Sequence, residues 1–217
     1  VVTGDDVSER VKDFSRFSSA AIECAHCFDG EILVNWTDPV NTISFSGYFQ
    51  TRLPATLRFS VLNPFGQPVY AVASDGTTFQ YINTTKRLFT MGSLRSFSKL
   101  NDIPLIFLSG PWGAWLSARP TVATVLEVHE DKDNRGIWYT VAESESEGSV
   151  EEMLLLDTST SRMLERIILG SNGKPQVKIS YGNWQVIDKC EQPLDIKFTG
   201  LAYGAKARLK LSDIRAS

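Results

Sequence analysis

The chain has 217 residues, 42% of them hydrophobic, and sets 22 Lys and Arg against 25 Asp and Glu for a formal net charge of -3. That length can enclose one sizeable core, so residues 1–217 are read as a single domain, and the overall charge balance leaves no basic field for nucleic acid, anionic lipid headgroups or other polyanions. No run approaches the roughly 18 apolar residues of a spanning helix; the longest candidate, Ile103–Leu108, is interrupted by Pro104.

The chain begins at Val1 with neither Met nor a charged-then-apolar leader, as expected after removal of a targeting segment or trimming. The spacing then predicts an opening helix over Asp5–Phe17: Asp5 and Asp6 suit its N-terminus, and Val7, Val11 and Phe14 recur at i, i+4 and i+7. From Ala20 the pattern turns extended, with Asp29-Gly30 and Asp75-Gly76 as turn signals and alternating stretches at Ile43–Gln50 and Thr78–Ile82.

Cys24-Ala25-His26-Cys27 lies in the extended Ala20–Trp36 stretch, with no amphipathic helix behind it to lower a thiol pKa. Phe28 stands where a haem site needs His, and His129 stands apart, so the pair gives no redox, haem or metal site and no cofactor is expected. In an oxidising compartment Cys190 pairs with Cys24 or Cys27, and the odd cysteine remains a free thiol.

Asn63-Pro64-Phe65-Gly66 is the most informative turn. It separates Thr56–Leu62, with Leu57, Phe59 and Val61 on one face, from a second short strand at Val69–Ser74. Pro64 fixes its own φ, and Gly66 tolerates positive φ, so Phe65 is either held outward on a tight loop or folded back as a lid over the sheet edge, and the motif alone favours the second.

The rhythm breaks over about 93–116, where Leu94, Phe97, Leu100, Ile103, Ile106, Phe107, Trp112 and Trp115 predict short helices around Ser109-Gly110-Pro111. Strands resume at Val122–His129, Ile137–Ala142, Met153–Asp157, Met163–Leu169, Gln176–Trp184, Asp195–Phe198 and Ala207–Ile214. Asn172-Gly173 is a strong hairpin signal; Asp131–Gly136 and Glu143–Glu152 are charged connections, the latter placing Glu151 and Glu152 in a loop. The expected fold is mainly β (α+β): about ten or eleven strands in a single curved antiparallel sheet, an unclosed half-barrel covered by the N-terminal helix and the helical insert.

No G-x-S-x-G elbow, H-E-x-x-H helix, P-loop or G-x-G-x-x-G fingerprint occurs, and two histidines leave few places for acid–base chemistry. The chain is read as a non-enzyme, and a cavity protein fits its apolar strands and insert better.

In this order the motifs resemble the LolB-type outer-membrane lipoprotein receptors of Gram-negative bacteria, within the LolA/LolB-like fold. Leu57–Gly66, LRFSVLNPFG, is similar to the family strand ending in Asn-Pro-Leu-Gly, with Phe65 for the Leu. Ile103–Leu116 is similar to the helical segment over the barrel mouth, Arg162–Gly182 to the Asn-Gly hairpin and its following strand, and Pro193–Ile214 to the closing strand pair. Cys24, Cys27 and the extended 20–39 region depart from the family pattern.

The resemblance implies a hollow that accepts lipoprotein acyl chains from a periplasmic LolA-like carrier and releases the cargo into outer-membrane lipid. It gives the membrane-contacting role to the loop Asn63, Pro64, Phe65 and Gly66. Candidate acyl-chain cavity residues are Phe45, Phe49, Phe59, Phe79 and Tyr81, with Phe107, Trp112 and Trp115 from the lid. The implied setting is the periplasmic face of the outer membrane, with a monomer anchored by lipid on a Cys upstream of this chain. The alternatives on the same fold are an envelope protein that sequesters lipid or another apolar ligand, and a structural envelope protein with a filled barrel.

Overall fold

The computed structural model describes residues 4–24, 26–101, 105–120, 123–143, 151–170, 172–201 and 204–216. The opening helix α1 (Gly4–Ile22) leads into six strands: β1 (Cys27–Thr37), β2 (Thr42–Arg52), β3 (Thr56–Leu62), β4 (Pro68–Ser74), β5 (Thr78–Asn83) and β6 (Leu88–Ser93). The helical insert follows as α2 (Leu94–Asn101), α3 (Leu105–Ser109) and α4 (Trp112–Ser117). Seven strands complete the chain: β7 (Ala123–Glu130), β8 (Ile137–Glu143), β9 (Glu151–Asp157), β10 (Arg162–Leu169), β11 (Pro175–Ile187), β12 (Cys190–Thr199) and β13 (Lys206–Ala216).

The strands form one 13-stranded sheet, ordered β6-β5-β4-β3-β2-β1-β13-β12-β11-β10-β9-β8-β7. The first six step outward from the centre, the insert carries the chain to the opposite edge, and the last seven step back until β13 pairs antiparallel with β1. β6 and β7 remain as edges, so the sheet is a mostly β half-barrel that is not closed. Among the described residues no helix is long and apolar enough to cross a membrane.

Several local expectations are corrected. The opening helix runs to Ile22 rather than Phe17, because Ala20, Ala21 and Ile22 continue a helix whose Phe14 is buried against Tyr139 of β8 (ring centroids 5.0 Å). Asp29-Gly30 is not a turn but a bulge within β1, where a Cβ on Gly30 would lie 2.8 Å from the Ser212 carbonyl oxygen. Glu151 and Glu152 begin β9 instead of lying in a loop. Thirteen strands replace the expected ten or eleven, the unforeseen β6 being an edge strand with Leu88, Phe89 and Met91 all exposed.

Packing differs between the two arms of the sheet. On the β8–β12 side Leu154, Ile168, Ile179 and Ile196 are completely buried. On the β3–β5 side Leu57, Phe59, Val61, Val72, Phe79 and Tyr81 are only half-buried. α4 sits over the middle, with Trp115 wholly inside, and is tied to the β2–β3 turn where Gly113 N–H donates to the Pro54 carbonyl (2.9 Å).

Candidate functional site

Antiparallel pairing places directly opposed residues on the same face, so the register assembles an apolar lining from separate strands. Phe49 lies opposite Phe59, Phe59 opposite Val72, and Val72 opposite Tyr81. One step along, Thr51, Leu57, Ser74 and Phe79 form a parallel row. Phe45 meets Phe59 edge-on (6.0 Å) and Phe49 meets Phe28 (5.9 Å). Five of the expected cavity residues, Phe45, Phe49, Phe59, Phe79 and Tyr81, therefore share one face.

The insert covers part of this face. Phe97 of α2 meets Phe79 edge-on at 4.8 Å, and at the start of that helix Leu94 N–H donates to the Thr77 carbonyl (2.9 Å). Trp112 contacts both Trp115 (5.1 Å) and Phe198 of β12 (5.7 Å). The set divides by burial: Phe49 and Trp115 are closed into the core, whereas Phe45, Phe59, Phe79, Tyr81 and Trp112 are half-buried. Phe107 lies in α3, and its side chain falls outside the described residues.

The loop with Phe65 stands clear of the sheet. Asn63 Oδ1 accepts from the backbone N–H groups of Phe65 and Gln67, both at 2.9 Å, and Gly66 takes φ +76° with open space around it. Phe65 is 89% exposed, so the turn holds an apolar side chain in water instead of folding it back onto the edge.

A polar group sits inside the other arm. Arg166 of β10, with no exposed surface, faces Glu152 of β9 (Nε to Oε2, 3.5 Å) and donates to the backbone carbonyl of Arg119, just past α4. Burial, reinforced by Glu152 and opposed by Arg166, pushes the nearby Tyr181 phenol well above its ordinary range. From β12, Gln192 Nε2 donates to the Leu116 carbonyl (2.8 Å). The C-terminal end of α4 is thus hydrogen-bonded to strands on its floor.

A separate cleft of about 790 Å³ lies beneath the C-terminal half of α1, between Phe17, Tyr139, Met163, Arg162 and Trp184. Its walls mix charged and apolar side chains; the Arg162 guanidinium lies over the Trp184 ring (5.8 Å) and bonds Glu191 (2.9 Å). None of the expected cavity residues lines it. At its margin Cys24 and Cys190 form a disulfide, joining the end of α1 to the start of β12, and Cys27 is the free thiol. His129 stacks on Trp138 (6.4 Å), and among the described residues no three His, Cys, Asp or Glu side chains are grouped as metal ligands.

Sequence reasoning missed Phe28, Phe97 and Val72 as neighbours of the apolar lining and missed Arg166, Glu152 and Tyr181 as a buried polar group. Alternation could have flagged Val72; the buried charges carry no signal of their own.

No protein-family profile matches the chain, and no curated protein matches it in sequence. Solved structures do. A DUF1329 family protein from Desulfovibrio piger superposes with a TM-score of 0.63 at 10% identity, over 95% of this chain and 93% of its own. A LolA superfamily protein from Nitrosomonas europaea gives 0.61 at 14% identity, over 94% and 93%. An outer membrane lipoprotein-sorting protein domain from Vibrio parahaemolyticus gives 0.59 at 10% identity, over 95% and 92%. What the three share with this chain is a LolA-like fold.

Proposed function

We propose that this protein binds lipoproteins by their acyl chains on the apolar inner face of the half-barrel and helps insert them into the outer membrane, in the manner of a LolB-type receptor. The observation that carries the reading is the half-buried cross-strand row Phe59, Val72 and Tyr81 with Phe45 and Phe79 beside it, which leads out from the buried Phe49 and meets α2 where Phe97 packs on Phe79. A filled core would bury these rings as completely as Leu154 or Ile196. A face left half-buried has apolar area for a removable ligand to cover.

The physical demand is large. At roughly 0.8 kcal/mol per buried methylene, the acyl chains of a lipoprotein in water cost tens of kcal/mol, so transit requires an apolar shelter. α4 is held by Pro54, Gln192 and Arg166, whereas α2 rests on the edge arm, so α2 and α3 form the part of the cover that yields to cargo. The cargo arrives from a LolA-like carrier and leaves into outer-membrane lipid past Phe65. Burying one Phe is worth about 1.5–3 kcal/mol, enough to orient the protein on a bilayer; anchoring falls to a lipid carried upstream of this chain.

The test is calorimetric titration with a triacylated lipopeptide and with the same peptide lacking its acyl chains. Binding of the first alone supports the reading. Equal binding, or none by a folded protein, removes it in favour of a structural envelope role.

A further inference from the structure

The hairpins β1–β2, β3–β4 and β5–β6 all turn at the same end of the sheet, because Thr37 pairs with Thr42, Leu62 with Pro68 and Asn83 with Leu88 in one continuous ladder. Alternate strands lie roughly 10 Å apart, so the three tips form an evenly spaced rim. Each tip holds apolar side chains in solvent: Val40 is 85% exposed, Phe65 89%, and Leu88 and Phe89 47% and 55%. An Asx side chain fixes every one of them. Asp38 Oδ1 accepts from Val40 N–H (2.8 Å), Asn63 Oδ1 from Phe65 N–H (2.9 Å) and Asn83 Oδ1 from Lys86 N–H (2.9 Å).

The rim also has a sign. Lys86 and Arg87 stand exposed on the third tip, and residues 63–67 and 84–87 contain no Asp or Glu. The one carboxylate on the three tips, Asp38, is held ionised by the Val40 and Asn41 N–H groups and the Trp36 indole, so the two cations of the third tip exceed it by one charge. Separate, evenly spaced apolar tips match a fluid interface that closes around each, and the adjacent cations match its phosphates.

We propose that this rim docks on an anionic phospholipid bilayer, with Val40, Phe65 and Leu88 entering the headgroup layer and Lys86 and Arg87 meeting lipid phosphates. The proposal deepens the delivery step above and rests on that reading, adding two further hairpins and a requirement for lipid charge.

The experiment is co-sedimentation of the cargo-free protein with phosphatidylcholine vesicles, with and without phosphatidylglycerol. Expected is binding that requires phosphatidylglycerol, fades with salt, and falls roughly thirtyfold in Lys86→Gln/Arg87→Gln. Val40→Glu should weaken it as Phe65→Glu does. Far-ultraviolet circular dichroism confirms that each variant is folded, and the exposed Lys86→Gln/Arg87→Gln pair decides the matter if an apolar-to-Glu variant misfolds. Equal binding to both vesicle types, no binding to either, or an unchanged Lys86→Gln/Arg87→Gln variant overturns the proposal. Lipopeptide uptake by a protein that ignores vesicles overturns the rim alone, whereas charge-dependent vesicle binding without lipopeptide uptake supports the rim and overturns the carrier reading.

Discussion

Arg166 reaches from the inner face of β10 to the backbone carbonyl of Arg119, linking the sheet floor to the segment that leaves α4. The carboxylate facing it is that of Glu152, which is also buried. Removing one member of a buried pair strands the other charge at a cost of about 3–5 kcal/mol, while replacing both by apolar residues is often close to neutral. Arg166→Met should therefore lower urea stability by about 3 kcal/mol, and Glu152→Leu with Arg166→Met should recover most of it. A single variant as stable as the parent contradicts this account of α4's attachment.

The disulfide joins residues 166 apart in sequence, between the end of α1 and β12. Constraining so long a loop in the unfolded chain is worth about 2–5 kcal/mol. Cys24→Ser/Cys190→Ser should lose stability in that range by urea denaturation, and reducing agent should destabilise the parent but not the variant. Unfolded but unreduced protein should titrate one thiol, that of Cys27; three would show that the disulfide does not form.

Asp131 is one of the carboxylates whose lowered pKa shapes the acid limit of the fold, and it is tied to the side chains of Arg135 and Trp138. Hydrogen bonds from Arg135, against the opposing effect of burial and with help from Trp138, hold its carboxyl well below the usual carboxylate range. A lowered pKa contributes stability that is present in full above the unfolded value of about 4 and is lost as pH falls through the folded one. The melting temperature followed by tryptophan fluorescence should fall steeply below about pH 4. Asp131→Asn should be less stable at pH 7 with a flatter acid limb; an unchanged limb would show that other carboxylates set it.

Much of this architecture is legible in the residues. The alternation of Leu57, Phe59 and Val61 marks β3, and the Ser109-Gly110-Pro111 break falls between α3 and α4. The losses have physical causes. β6 is an edge strand whose Leu88, Phe89 and Met91 are exposed, so burial imposes no alternation on it. Gly30 signals a turn by type but serves a bulge. Arg166 reads as outward-facing until the bulge between Met163 and Glu165 shifts the phase of β10 and turns it inward. The aromatic lining was visible residue by residue, but its grouping is a property of register between strands.

That lining should be sensitive to charge. Tyr81 is half-buried and stacked on Tyr70 near the edge of the sheet (6.2 Å), so Tyr81→Glu is expected to leave the melting temperature within a few degrees while weakening triacylated lipopeptide binding by about tenfold or more. Undiminished affinity in a folded variant would place the acyl chains elsewhere, with the cleft beneath α1 as the next site to examine.

The most direct measurement offers the purified protein an acylated lipoprotein held by its soluble carrier, then asks by pull-down and mass spectrometry whether the cargo changes hands. The account predicts transfer to this chain, with Phe65→Glu still accepting cargo but releasing it more slowly into liposomes. Cargo that stays with the carrier, in the presence of folded and monodisperse protein, would contradict the receptor function.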